Sequence, residues 1–173
     1  MPTELVRRVN LDLLFPPFVE KLLAALAACQ TRGQDYYAIS GFRPWDEQAR
    51  LWAKFQAGGP RAAPAGLSAH NYGLAVDLAP DGDPKKAGLQ PDWSDAKYTI
   101  LGEEAQKAGL VWGASFNDKP HVQWPGFVSG VELGALKTVW TKNWAGDKNW
   151  LPPLRACWAV VLLHSPPGTG TIP

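Results

Sequence analysis

Histidine is scarce, cysteine scarcer, and neither sign of charge dominates: the 173 residues hold three histidines and two cysteines at a formal net charge of +1. The near-neutral balance lacks the basic excess that phosphate binding normally shows, so nucleic acid is not an expected partner. Cys29 and Cys157 lie far apart, and neither has a cysteine or histidine neighbour at ligand spacing, which excludes zinc-finger chemistry. A single disulfide stays open as a reading, with two buried free thiols the favoured one. Long apolar runs are also missing. The stretch "CWAVVLL" falls far short of the roughly 20 residues of a membrane-spanning helix. The opening "MPTELVRRVNLDLLFPPF" has neither an apolar signal core nor a small-residue cleavage site. These absences predict a chain made in the cytoplasm without a signal peptide and without membrane insertion.

What is present is enough apolar material for a core, 46% of residues, in a length that suits one domain. In "PPFVEKLLAALAACQTRG", Phe18, Leu22, Ala25, Leu26 and Cys29 recur at helical spacing, and Gly33 can end the helix. "YYAIS" is β-prone. "GFRPWDEQARLWAKFQAGG" follows as a helix, with Pro44 at its first position, Asp46 and Glu47 at its positive end, and Leu51, Trp52 and Phe55 as its apolar face. "LAVDLA" alternates as a strand, "SDAKYTILGEEAQKAGL" begins with a cap and forms a helix, and "VWGASFNDKPHVQW" is strand, turn and strand. Helical pieces rich in tryptophan come after. The order predicts an α+β fold, a small antiparallel sheet backed by helices. The expected divisions are a main domain over 1–129, a C-terminal helical extension over 130–164 packed on it, and a loose tail over 165–173.

Two stretches concentrate the chemistry. In "SAHNYGLAVDLAP" the strand alternation turns Val76 and Leu78 to a core and Asp77 to the open face, and Gly73 lets the chain bring His70 round to meet it. In "DKPHVQW", Val122 and Trp124 share one face while His121 and Gln123 share the other. Pro120 disfavours helical geometry at Lys119, so Asp118 and His121 converge through a turn at the strand entrance. Two histidines and one carboxylate are a common catalytic zinc set with a fourth position for water. Spacing alone leaves a pair of structural histidines equally open. Asp81 and Asp83 in "PDGDP" lack the ligand count of a calcium loop and suit a solvated turn. Trp140, Trp144, Trp150 and Trp158 are expected to cover the core rather than to grip sugar rings, and His164 to lie on the surface.

"SAHNYGLAVD" matches the S-x-H-x-x-G-x-A-x-D pattern of the zinc peptidases that cut D-amino-acid-containing wall peptides. That group includes the VanX and VanY dipeptidases and carboxypeptidases and the L-alanyl-D-glutamate endopeptidases of phage endolysins. "DKPHVQW" resembles its second signature, an acidic residue three before the last histidine ligand. "SGFRPWDEQARLW" and "GLVWGASF" resemble two further segments, so that the likeness spans about residues 17–128 in the right order. The resemblance implies a hedgehog/D-Ala-D-Ala-peptidase-like fold. It implies Zn2+ held by His70, Asp77 and His121, Asp118 as general base and acid toward a zinc-bound water, and Arg43 as the group that polarises the scissile carbonyl. Ser68 and Gln48 match positions assigned to substrate binding.

The activity implied is hydrolysis of the L-alanyl-D-glutamate bond of bacterial peptidoglycan by an endolysin-like, phage-type, bacteriolytic monomer that reaches the cell wall after release. The rival readings are a D-alanyl-D-alanine carboxypeptidase or dipeptidase and, outside the enzymes, a non-catalytic zinc-containing binding domain like that of hedgehog proteins. The dipeptidases and carboxypeptidases of the group resemble one another in using glutamate where this chain has Asp118, which favours the endopeptidase.

Overall fold

The structure, a computed structural model, describes residues 2–165. Its centre is set by the alternating strand in the middle of the chain. Strand β2 (Ala75–Ala79) pairs on one side with β1 (Tyr37–Ser40) and on the other with β4 (His121–Gln123), and β3 (Val111–Trp112) pairs with β4. All pairings are antiparallel, giving the order β1-β2-β4-β3. Val76 sits opposite Val122, and both are buried. The same register sets Asp77 opposite His121 on the other face. Pairing across β2 therefore places the two chemical segments side by side without any loop rearrangement.

Helix α1 (Pro2–Leu5) and a 3-10 turn at Leu11–Leu13 precede α2 (Pro16–Thr31), elements for which no expectation was formed before residue 16. The stripe Phe18, Leu22, Ala25, Leu26 and Cys29 of α2 is fully buried, as its spacing predicts. Each large member contributes roughly 1.5–3 kcal/mol by leaving water. Helix α4 (Thr99–Lys107) packs on α2, and Lys21 closes its end by donating to the Ala108 carbonyl at 2.9 Å.

Helix α3 (Trp45–Gln56) differs from expectation in two ways. Pro44 is its cap, one residue before the first helical position. Its buried residue is Gln48, whereas Leu51 and Trp52 are half-buried and Phe55 is exposed. The apolar stripe lines an open cleft.

Helices α5 (Gly130–Asn143) and α6 (Leu151–Leu163) pack on each other, and their Leu133, Leu136, Trp140, Leu154, Trp158 and Val161 join the same core as the sheet. Ser129 and Glu132 form a capping box at the start of α5. The Trp158 indole N–H donates to the Tyr72 carbonyl at 2.8 Å, tying α6 to the middle of the chain. Trp140 and Trp158 lie within the core, and Trp144 is 40% exposed. The tail expected to be loose lies, from residue 166 onward, outside the described residues. Among the described residues no helix is long and apolar enough to cross a membrane. Both cysteines are free and buried. Asp81 is engaged in its own turn, accepting from the Asp83 and Gln90 amides.

Candidate active site

His70 lies in a 3-10 turn, Ala69–Tyr72, immediately before β2. The turn ends at Gly73 in the left-handed region, φ 66°, where a Cβ would stand 2.2 Å from the Leu13 carbonyl oxygen. Only glycine fits that approach, and it directs the chain from His70 back into β2. On the neighbouring strand His121 opens β4. Asp118 is held before it by the Gly113 carbonyl, which accepts from the Asp118 amide at 2.9 Å. A Cβ on Gly113 would stand 2.1 Å from the Asp118 carbonyl oxygen, so this glycine also sets the position of the turn. Asn117 supplies the left-handed residue that the turn needs, with φ 62°.

The three side chains converge as the sequence predicts. His70 Nε2 and His121 Nδ1 are 3.3 Å apart, and each is 3.2 Å from Asp77 Oδ1. A tetrahedral shell with bonds of about 2.0–2.1 Å separates neighbouring ligand atoms by about 3.3–3.4 Å, so this triangle has the dimensions of one face of such a shell. Hydrogen bonding fixes which nitrogen of each ring points inward. His70 Nδ1 is 2.8 Å from the Gly41 carbonyl, which can only accept, so Nδ1 carries the proton and Nε2 is bare. His121 Nε2 is 2.8 Å from Gln123 Oε1, and the Gln123 amide nitrogen donates to the Phe127 carbonyl at 3.0 Å. That second bond orients the amide, so the proton sits on His121 Nε2 and Nδ1 is bare. Two lone pairs and a carboxylate oxygen thus face one another at a spacing that requires a shared cation or proton. Among the described residues, this is the group of three able to hold a metal ion.

The electrostatics agree. Burial by itself pushes the Asp77 carboxyl up, but His70 and His121 outweigh it and hold it well below the usual carboxylate range. Burial lowers His121, yet its contact with Asp77 prevails and holds the imidazole above its ordinary value. The Asp118 carboxyl is raised, by burial first and by the nearby Asp77 charge, against the opposing pull of the two histidines and Arg43. Asp118 Oδ2 stands 4.0 Å from His121 Nδ1, close to the triangle but outside it, with its side chain 49% exposed to the cleft.

Arg43 reaches the same place from the end of β1. Its guanidinium donates to Ser40 Oγ and to Gln48 Oε1, both at 2.9 Å, and lies 3.4 Å from Asp77 Oδ2. Its main chain is anchored to the His70 turn, the amide donating to the His70 carbonyl at 3.0 Å and the carbonyl accepting from Asn71 Nδ2 at 2.8 Å. Gln48 is engaged at both ends, because its Nε2 donates to the Ala63 carbonyl at 2.7 Å. It acts as a support for Arg43 and for residues 57–67, with both amide atoms engaged. Ser68 lines the cleft and makes no cap bond to the turn that follows it. Sequence reasoning missed Ser40 and the tautomer-setting partners Gly41 and Gln123, although strand alternation had put Gln123 on the His121 face. His164 is exposed and far from this cluster in the chain, on the last turn after α6.

Around the centre lies a cleft of about 1020 Å³. Leu51, Trp52 and Phe55 of α3 form one wall, and Phe116, Phe127 and Leu133 contribute to the other. Phe116 meets the His121 ring edge-on at 5.4 Å and shields it. A polar, metal-competent centre with a neighbouring carboxylate and a fixed cation, set in an open cleft, has the parts of a hydrolase site.

Comparison with known proteins agrees with that class. Residues 13–124 match the family model described as VanY, D-alanyl-D-alanine carboxypeptidase, and the chain belongs to that family. It is 34% identical to the peptidoglycan L-alanyl-D-glutamate endopeptidase CwlK of Bacillus subtilis in an alignment of 121 residues, covering 62% of this chain and 71% of CwlK. Among solved structures, the Serratia marcescens L-Ala D-Glu endopeptidase ChiX is 22% identical with a TM-score of 0.45, covering 66% of this chain and 82% of ChiX. The D,D-pentapeptidase VanY of a VanB-type resistance cassette, solved with Zn(II), is 20% identical with a TM-score of 0.46, covering 72% and 76%.

Proposed function

We propose that the chain is a zinc peptidase that hydrolyses the L-alanyl-D-glutamate bond of peptidoglycan stem peptides. The observation that carries the reading is the triangle of His70 Nε2, Asp77 Oδ1 and His121 Nδ1, with sides of 3.2–3.3 Å and the outward nitrogen of each imidazole engaged by Gly41 or Gln123, which turns the inward nitrogen to the centre. Two nitrogens and one carboxylate oxygen are borderline-soft donors that suit zinc, and three protein ligands leave a position open. Zinc, when bound there, supplies Lewis acidity that brings water toward a pKa of about 7.

The chain's own residues do the rest. Asp118, beside the triangle and open to the cleft, takes a proton from the attacking water and returns it to the amine as the amide C–N bond breaks. Its raised pKa suits both halves of that task. Arg43 is held with its guanidinium against Asp77, where it would face the carbonyl oxygen of a bound peptide and stabilise the charge that develops on it. Ser40 and Gln48 hold that guanidinium in one orientation before substrate arrives.

The choice of bond is supported by the likeness to CwlK and by aspartate at 118. The family model favours a second reading, release of terminal D-alanine. The two separate on digestion of purified peptidoglycan. New amino-terminal D-glutamate supports the endopeptidase, and free D-alanine alone overturns it. A lytic, endolysin-like role belongs to the same proposal, and loss of turbidity in permeabilised bacterial cells tests it. A zinc-containing binding domain would give neither products nor lysis.

A further inference from the structure

The match to the family model ends at residue 124, and α5 and α6 lie beyond it. Yet α5 reaches the segment that carries Arg43. The Trp140 ring, 1% exposed, stacks on Trp45 at 5.6 Å with 21° between planes and on Phe42 at 6.2 Å with 24°. Phe42 and Trp45 flank Arg43-Pro44 in the chain, so a single ring contacts the backbone segment on both sides of the arginine. Trp140 also meets Tyr72 edge-on at 6.0 Å, and Tyr72 closes the turn that carries His70. Lys137, one turn earlier on α5, lies over the Trp45 ring at 5.6 Å and donates to the Ala65 carbonyl at 3.3 Å.

We propose that Trp140 is a positioning residue for Arg43: by stacking on Phe42 and Trp45 it fixes the 42–45 segment from behind, while the His70 turn fixes it from in front. The inference rests on the role given to Arg43 above. A long side chain can keep its reach only if its Cα is stationary, and a displacement near 1 Å at a reacting group can cost about a hundredfold in rate. Among the described residues the Trp140 indole N–H has no hydrogen-bond partner. Burying it carries a desolvation cost that a simple space-filler such as leucine would not incur. What tryptophan adds at this point is ring face, and ring face is what the two stacks use.

The test is a double-mutant cycle in the full chain, following hydrolysis of a soluble stem-peptide substrate and recording zinc content and thermal midpoint for each variant. Trp140→Leu is expected to lower kcat by about ten- to a hundredfold with zinc content unchanged. Trp140→Phe, which keeps an aromatic face but loses one of the two fused rings together with the N–H, is expected to recover part of that loss. In an Arg43→Ala background, Trp140→Leu is expected to cost nothing further, because there is no guanidinium left to place. Losses that simply add, or a change confined to KM, overturn the inference and leave Trp140 a packing residue. If Trp140→Leu does not fold, Phe42→Leu and Trp45→Leu carry the same cycle from the half-buried side of the stack. Full activity of Arg43→Ala alone would overturn the arginine's role, and the positioning inference with it; additive losses overturn only the latter.

Discussion

On the sheet side of the cleft the polar atoms around the three-residue centre are engaged: His70 with Gly41, His121 with Gln123, Gln123 with Phe127, Arg43 with Ser40 and Gln48. On the helix side, α3 and residues 57–67 present Leu51, Trp52 and Phe55 with the cations Lys54 and Arg61 to the cleft. The Trp52 and Phe55 rings pack on each other at 5.4 Å, and Arg61 reaches across to the Phe116 carbonyl at 3.4 Å. Order is concentrated where atoms must be held to fractions of an ångström. The wall with the looser, amphipathic side chains is the one that can adapt to the length and shape of a peptide. Changes on the sheet side should therefore act on kcat and metal content, and changes on the helix side on KM.

The sharpest division lies within the sheet side. Asp118→Asn keeps the size of the side chain and removes its basicity, and should lower kcat by about a hundredfold or more while zinc content stays at one per chain. His121→Ala should lose metal and turnover together, measured by elemental analysis beside the same assay. Equal zinc loss in both variants would make Asp118 a ligand and erase the distinction drawn here.

Next in size is Gln123→Leu. It removes the acceptor that sets the His121 tautomer and should weaken zinc binding by about ten- to a hundredfold in a competition titration with a chelator. The pH dependence of that titration has a defined sign. Asp77 raises the His121 pKa in the metal-free protein, so a proton occupies the site at higher pH than an ordinary imidazole would hold it. Zinc affinity should therefore rise from pH 6 to pH 8, with the steep part above the ordinary histidine range of about 6.5. A flat profile across that interval would remove the proton from the competition. The smallest effect is expected on the other wall: Trp52→Ala should raise KM several-fold at nearly constant kcat. A fall in kcat with KM unchanged would show that α3 belongs with the rigid half.

Much of this was legible in the sequence because strand alternation is a strict rule. Asp77 and His121 were assigned to the open face by counting in twos from Val76 and Val122, and the register of β2 against β4 sets them opposite each other. The helical stripe of α2 was equally plain. The same periodicity in α3 gave the apolar face and no destination, since an apolar stripe says which side is hydrophobic and not whether core or cleft lies against it. Ser40 was hidden because the register between β1 and β2 shifts between Ala38 and Ser40, bringing Ser40 opposite Asp77 and next to Arg43. Gly41 holds His70 through a backbone carbonyl, which no side-chain pattern encodes. Gln123 lay on the predicted face, but its purpose depends on residues 124–127 curling back to offer the Phe127 carbonyl. Gly113 carries its meaning only through the approach of Asp118, a contact across the turn that spacing does not disclose.

The two thiols have a practical consequence. Burial pushes the Cys29 thiol up to about 11 and the Cys157 thiol up to about 12. At neutral pH only about one in ten thousand of the first, and fewer of the second, is ionised, and the thiolate is the form that attacks disulfides and alkylating reagents. The folded chain should be indifferent to glutathione, to mild oxidants and to a passage between reducing and oxidising surroundings. A cysteine introduced on an exposed surface, at Leu163 for example, would then be the one reactive thiol. A fluorophore or cross-linker could be attached there without removing either native sulfur.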